Sequence, residues 1–308
     1  MVKNPLSIVY SITSKCPYKC AFCVMSGGEP DYKKELSFDE KLKVIDGIIE
    51  LNQHRDVRCD FSGGEPLSDM RNLDLISMLA DAIGQKNVSA TLSGAFLSNS
   101  VCERLKECVD GVEISLDTIP SKNYHLREFP NQVNSVKAIK LLKKYGIRVG
   151  VSTTLTRLLL NPIQINAFYQ FLIKLSVDYW SILRLMPVGR AINYPELFIT
   201  EADWIECRTY MDELISKNRS VNPTINYHYT FSGHKKYEPL CRCVKKSIGI
   251  LPDGTVTSCF WGIDEQRVPL FPQFVLGNTP QESLVDIINN EKSSYWLNAE
   301  HRCVLLQR

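Results

Sequence analysis

The chain has 308 residues, 44% hydrophobic and 23% charged, with 36 basic and 34 acidic side chains and a net charge of +2. This composition excludes wholesale disorder, coiled coil and collagen, and so balanced a charge gives no argument for nucleic acid or a membrane surface as partner. No apolar run is long enough to cross a bilayer, since the most hydrophobic stretch, Leu158–Leu175, is broken by Asn161, Pro162, Gln164 and Asn166. The first residues carry no signal-peptide pattern, and the expected location is the cytoplasm.

Between residues 7 and 217, short β-branched runs alternate with helical stretches. In chain order the pattern predicts strand Ser7–Thr13, helix Phe38–Gln53, strand Arg58–Ser62, helix Leu73–Ile83, strand Val88–Ser93 and helix Ser98–Glu107. It continues with strand Val112–Leu116, helix Gln132–Tyr145, strand Arg148–Leu155, helix Ile163–Leu175, strand Trp180–Met186 and helix Glu201–Lys217. Leu42, Ile45, Ile48 and Ile49 give the first helix one apolar face. Tyr145-Gly146 closes the fourth helix, as a C-terminal glycine does.

Six βα units of about 35 residues each imply parallel strands joined by right-handed crossovers. Six units rather than eight close only part of a ring. The expected fold is therefore α/β, a partial (β/α)6 TIM-like barrel over residues 1–220 with a small C-terminal domain over 221–308. Within the latter, Gly249–Cys259 reads as a strand, a Pro-Asp-Gly turn and a second strand.

Eleven cysteines are the anomaly. In a reducing compartment they point to metal or catalysis rather than disulfides. Cys16-Pro-Tyr-Lys-Cys20-Ala-Phe-Cys23 puts three thiols on a loop after the first strand, where they can converge on one iron–sulfur cluster. Three ligands for four irons leave one iron open to a substrate or cofactor. A second set, Cys241-x-Cys243-x15-Cys259-x43-Cys303, brackets the hairpin. Zinc competes for that set, although its spacing lacks the paired C-x2–4-C knuckles of structural zinc sites. Cys59, Cys102, Cys108 and Cys207 read as core.

The first cysteine cluster, with Phe22 before its last member, resembles the signature of the radical S-adenosylmethionine (radical SAM) superfamily. Asp60-Phe-Ser-Gly-Gly-Glu-Pro66 resembles that family's glycine-glycine-glutamate-proline motif. The resemblance implies that Gly63, Gly64, Glu65 and Pro66 hold the methionine amino group of SAM, glycines letting the backbone come close. Val112–Asp117 resembles the fourth strand, which implies that Ser115 and Asp117 face the SAM ribose and carboxylate. Thr91-Leu-Ser-Gly94 stands where relatives carry Thr-Asn-Gly, with Ser93 replacing the Asn. Arg148–Thr156, with Thr153, matches the fifth strand, and Leu183–Arg190, with Met186, the sixth and its exit. The resemblance also implies that Phe22 packs on the adenine.

By the same resemblance, a reduced 4Fe–4S cluster on Cys16, Cys20 and Cys23 cleaves SAM to a 5′-deoxyadenosyl radical that removes a substrate hydrogen. The implied electron donor is flavodoxin or ferredoxin. The C-terminal set resembles the twitch or SPASM extension, implying one auxiliary 4Fe–4S cluster on Cys241, Cys243, Cys259 and Cys303 that accepts electrons, positions substrate or braces the fold. Cys207 is a further candidate, as hydrogen donor to a substrate radical. Oxidation, cross-linking or epimerisation of a ribosomal peptide is the first substrate class expected. A small metabolite (sugar, aminocyclitol or nucleotide) is the alternative, and a non-catalytic iron–sulfur or zinc protein the rival of another class. The basic run His234–Lys246 would stabilise a thiolate-ligated cluster, attract an acidic peptide or phosphate, or simply face water.

Overall fold

A computed structural model describes residues 5–29, 34–218, 222–227, 241–298 and 303–307. Strands β1 (Leu6–Thr13), β2 (Val57–Gly63), β3 (Val88–Leu92), β4 (Gly111–Ser115), β5 (Val149–Leu155) and β6 (Tyr179–Arg184) alternate with six helices. These are α1 (Phe38–His54), α2 (Asn72–Ile83), α3 (Asn99–Cys108), α4 (Phe129–Lys144), α5 (Pro162–Lys174) and α6 (Glu201–Lys217). Local chemistry sets where several begin. Ser37 with Glu40 and Thr200 with Asp203 form reciprocal capping boxes, and Asn161 caps α5 ahead of Pro162. β6 stops at Arg184, so Met186 stands in the loop beyond it.

A seventh strand, β7 (Thr224–Tyr227), pairs parallel to β6 and extends the ladder past the six units expected. Four residues are too few for periodicity to declare a strand. The C-terminal segment adds β8 (Ser247–Ile250), β9 (Thr255–Thr257), β10 (Val275–Asn278), α7 (Leu284–Asn289) and α8 (Glu291–Asn298). β8 and β9 form the expected hairpin, with Gly254 at φ 85 in its turn, and β10 adds a third antiparallel strand that the sequence reading lacks.

All ten strands form one sheet, in the order β10-β9-β8-β1-β2-β3-β4-β5-β6-β7. Ser7–Tyr10 of β1 pairs parallel with Ser247–Ile250 of β8, so the C-terminal hairpin continues the barrel wall. Among the described residues the two ends of the sheet, β10 and β7, do not pair, which leaves the barrel open. Consecutive parallel strands in sequential order put the crossover helices on one face. Ile8, Tyr10, Phe61, Ala90, Ile114, Val151 and Trp180 are buried there. The alternate positions Asp60, Thr91, Glu113, Ser115, Ser152, Thr154 and Ser181 are half-buried and polar, and form the barrel interior. Among the described residues no helix is long and apolar enough to cross a membrane.

Candidate functional site

At the carboxyl end of the parallel strands one cavity is lined by Cys16, Cys20 and Cys23 together with Phe22, Gly63, Gly64, Ser93, Ser115 and Met186. None of the three cysteines is in a disulfide. Their loop is tied down from several sides. Ala21 N–H donates to the Leu126 carbonyl (2.9 Å), and Arg190 donates from its backbone to Cys23 O (3.1 Å) and from Nε to Cys20 O (2.9 Å). On the opposite side, Gly64 N–H donates to Thr13 O and Glu65 N–H to Lys15 O, both at 2.7 Å. A Cβ on Gly64 would lie 2.3 Å from Lys15 O, and Gly63 adopts φ 124. The glycine pair therefore lets two backbones pass in contact where a side chain has no room.

Charge is concentrated at Cys20. Its Sγ accepts from Arg127 Nη1 and Asn131 Nδ2, both at 3.5 Å. Arg127 Nε donates to Asp117 Oδ2 (2.8 Å), and its guanidinium lies 5.3 Å from the centre of the Phe22 ring. Burial opposes the Arg127 charge, but Asp117 and Cys20 outweigh it and the pKa is raised. Burial pushes Cys16 up to about 12 and raises Cys20 against the pull of Arg127. The thiolate form of this set thus calls for nearby positive charge, which Arg127 supplies in part and a metal would complete.

Several expected contacts fall elsewhere. Glu65 is wholly buried behind the cavity, where its carboxylate accepts from the Ser93 N–H (2.7 Å), the Ser93 hydroxyl and the Leu67 N–H (3.4 Å). It braces the end of β2 against the end of β3, with Pro66 buried beside it, and Ser93 acts as its partner. Asp117 is spent on Arg127 and the Thr154 N–H and does not line the cavity. Thr153 points into the helix layer, donating to Leu116 O (2.7 Å) and accepting from Trp180 Nε1 (2.8 Å). Its neighbours Ser152 and Thr154 line the cavity instead, because a one-residue choice along a strand inverts the face. Cys207 lies in the apolar core on α6, away from the cavity lining.

Other participants carry no local signal in the sequence. Arg127 and Asn131 come from the loop after β4 and the start of α4, and the spacing alone gives no reason to single them out. Phe260 and Trp261, directly after Cys259, form a wall of the same cavity, so the C-terminal segment completes the barrel site. Deeper in the barrel, Asp60 accepts from Ser89 Oγ (2.6 Å) and Thr91 Oγ1 (2.9 Å). Burial pushes the Glu113 carboxyl up to about 7, where it can hold or release a proton near neutrality.

In the second set, Cys243, Cys259 and Cys303 are buried and Cys241 is half-buried. The Cys243 thiol donates toward Cys241 and Cys259, so Cys241 is held down at about 7 and Cys243 is raised. Lys245 adds to the lowering at Cys241. A thiol in contact with two others suits a thiolate-ligated cluster, and Cys303 lies near enough to act on Arg184, a residue of the cavity wall. The basic run continues through Arg242 and Lys246, but its portion His234–Leu240 lies outside the described residues.

The family model of the radical SAM superfamily matches residues 10–172, and that of an iron–sulfur cluster-binding domain, SPASM, matches residues 241–304. An uncharacterized protein of Methanocaldococcus jannaschii is 25% identical over 200 residues, 61% of this chain and 65% of that protein. A GTP 3',8-cyclase of Limosilactobacillus fermentum is 34% identical over 117 residues, 37% of this chain and 34% of that enzyme. The chain thus spans between a third and two thirds of the length of these relatives. SuiB of Streptococcus suis, bound to S-adenosylmethionine, matches with a TM-score of 0.73 at 17% identity, over 94% of this chain and 66% of SuiB. SuiB bound to its precursor peptide SuiA gives 0.72. At such identity the likeness is one of fold.

Proposed function

The chain belongs to the radical SAM superfamily, and on that premise we propose that Cys16, Cys20 and Cys23 hold a 4Fe–4S cluster at which SAM binds. The carrying observation is the single cavity shared by three thiols, the Gly63-Gly64 backbone and a buried cation aimed at Cys20. The donor set fits: the sulfurs are free of disulfides, and Arg127 and Asn131 offset thiolate charge. When bound, a reduced cluster supplies one electron to the SAM sulfonium and so yields the 5′-deoxyadenosyl radical that takes a substrate hydrogen.

The chain's own residues orient the reactants and keep water out. Ser93, Ser115, Ser152 and Thr154 offer hydroxyls to the polar groups of SAM, while Phe22 and Met186 offer apolar surface to its adenine. Phe260 and Trp261 cover the cavity from the C-terminal segment. Cys241, Cys243, Cys259 and Cys303 are proposed to hold an auxiliary 4Fe–4S cluster, with residues 1–220 as the barrel domain and 221–308 as the auxiliary domain. Flavodoxin or ferredoxin is the proposed reductant.

For substrate, the reading is a ribosomal peptide, supported by the match to SuiB in its complex with a precursor peptide. A nucleotide or other small metabolite is the second reading, favoured by the sequence match to a GTP 3',8-cyclase. The test is anaerobic reconstitution followed by dithionite and SAM. Formation of 5′-deoxyadenosine that vanishes in Cys20→Ala is the expected result, and undiminished cleavage in that variant would refute the assignment. Faster release with candidate peptides than with GTP would separate the two substrate readings.

A further inference from the structure

Beside the cysteine loop, and sharing no lining residue with its cavity, lies a second cavity of about 350 Å³. It is enclosed by the exit of β1, the first turn of α1 and the segment after β2. Its charged walls are Lys15, Lys34, Lys41, Arg71, Glu35 and Asp69. The two acids are engaged. Asp69 pairs with Arg71 at 2.7 Å, and Glu35 accepts from Thr13 Oγ1 (3.0 Å) and the Ser14 N–H (2.5 Å). Among the described residues, none of the three lysine ammonium groups makes a hydrogen bond or ion pair.

Lys41 is the informative one. It is only 6% exposed, lines the cavity, and faces Glu35, Asp69, Lys15 and Arg71. Burial lowers its pKa, against the opposing pull of the Glu35 and Asp69 carboxylates, neither of which forms an ion pair with it. Two carboxylates against three lysines and Arg71 leave the lining with excess positive charge, and a bound anion is the direct way to offset it.

We infer that this cavity binds a phosphoryl group, as free phosphate or at the end of a phosphate monoester, with Lys15, Lys34 and Lys41 as its cations. Three separate ammonium groups suit a dianion with several acceptor oxygens, whereas the one guanidinium suited to fork onto a carboxylate is already taken by Asp69. The volume exceeds that of a bare ion, which leaves room for the remainder of an ester.

The test uses the reconstituted full chain, titrated calorimetrically with inorganic phosphate, with ribose 5-phosphate, and with acetate at matched ionic strength. Phosphate or the monoester is expected to bind while acetate does not, and whichever binds more tightly identifies free or esterified phosphate. Lys41→Gln is expected to weaken that binding by about tenfold or more, the loss of a charge-assisted hydrogen bond. The exposed Lys34→Gln keeps the test valid should Lys41→Gln fold poorly, and a smaller weakening is expected there. Saturating ligand should raise the wild-type Tm by a few degrees, and that rise should shrink in both variants. Binding unchanged in both variants, or no binding of either phosphate, overturns the inference. So does loss of binding to an acidic flavodoxin in these variants while both phosphates remain silent, which would make the patch a protein-docking surface.

Discussion

In the barrel, Cys16, Cys20 and Cys23 come from one short loop, and distant parts of the chain converge on it: Arg127 and Asn131 at Cys20, Arg190 at the carbonyls, Gly64 and Glu65 at the approach from β1. In the C-terminal segment, Cys241, Cys243 and Cys259 interact chiefly with one another, and their separation in sequence is bridged by a hairpin docked on β1. The contrast shows two ways to gather thiols. In one, the chain spacing brings the sulfurs together and the fold supplies charge and bracing. In the other, the fold itself performs the gathering, and the Cys243 thiol lies against both Cys241 and Cys259.

The comparison breaks most sharply by substitution. Cys20→Ala and Cys259→Ala should each lower bound iron from about eight to about four per chain, and only Cys20→Ala should abolish SAM cleavage outright. Zinc in place of the second four irons would keep the barrel half and remove the auxiliary cluster. Next in size is thiol reactivity in the metal-free chain. The Cys243 thiol and Lys245 lower Cys241 toward its thiolate, whereas burial pushes Cys16 up to about 12 and keeps it protonated at pH 8. Iodoacetamide followed by mass spectrometry should therefore label Cys241 faster than Cys16.

Arg127→Met tests whether the barrel set depends on its buried cation. The Arg127 and Asp117 side chains are 8% and 0% exposed, so stranding Asp117 should cost about 3–5 kcal/mol in urea unfolding. Adding Asp117→Asn should restore part of that loss. The smallest effect expected is that of Gly64→Ala, about 1–3 kcal/mol, because the new Cβ must push Lys15 aside. If that variant unfolds like wild type, the close approach of the two backbones is not what fixes the loop.

Local pattern made much of this legible in advance. Helix faces such as that of Leu42, Ile45 and Ile48, and caps such as Ser37, are written within a few residues, and a three-cysteine loop declares its own convergence. Where the signal depends on parity or partner, it failed. Thr153 and Thr154 are chemically alike, and only the pleat decides which of them meets the cavity. Arg127 resembles any loop arginine until its contacts with Asp117, Phe22 and Cys20 are seen.

The sequence by itself determined the alternation of strands and helices and the three-thiol loop, because each rests on neighbours along the chain. Only the tertiary structure decided that the C-terminal hairpin joins the barrel sheet through β1, that Phe260 and Trp261 reach the first cavity, and that Lys41 is buried beside two other unpaired lysines. Those outcomes depend on strand register, the facing of alternate side chains and the burial of charge. All three are properties of segments far apart in sequence and close in space.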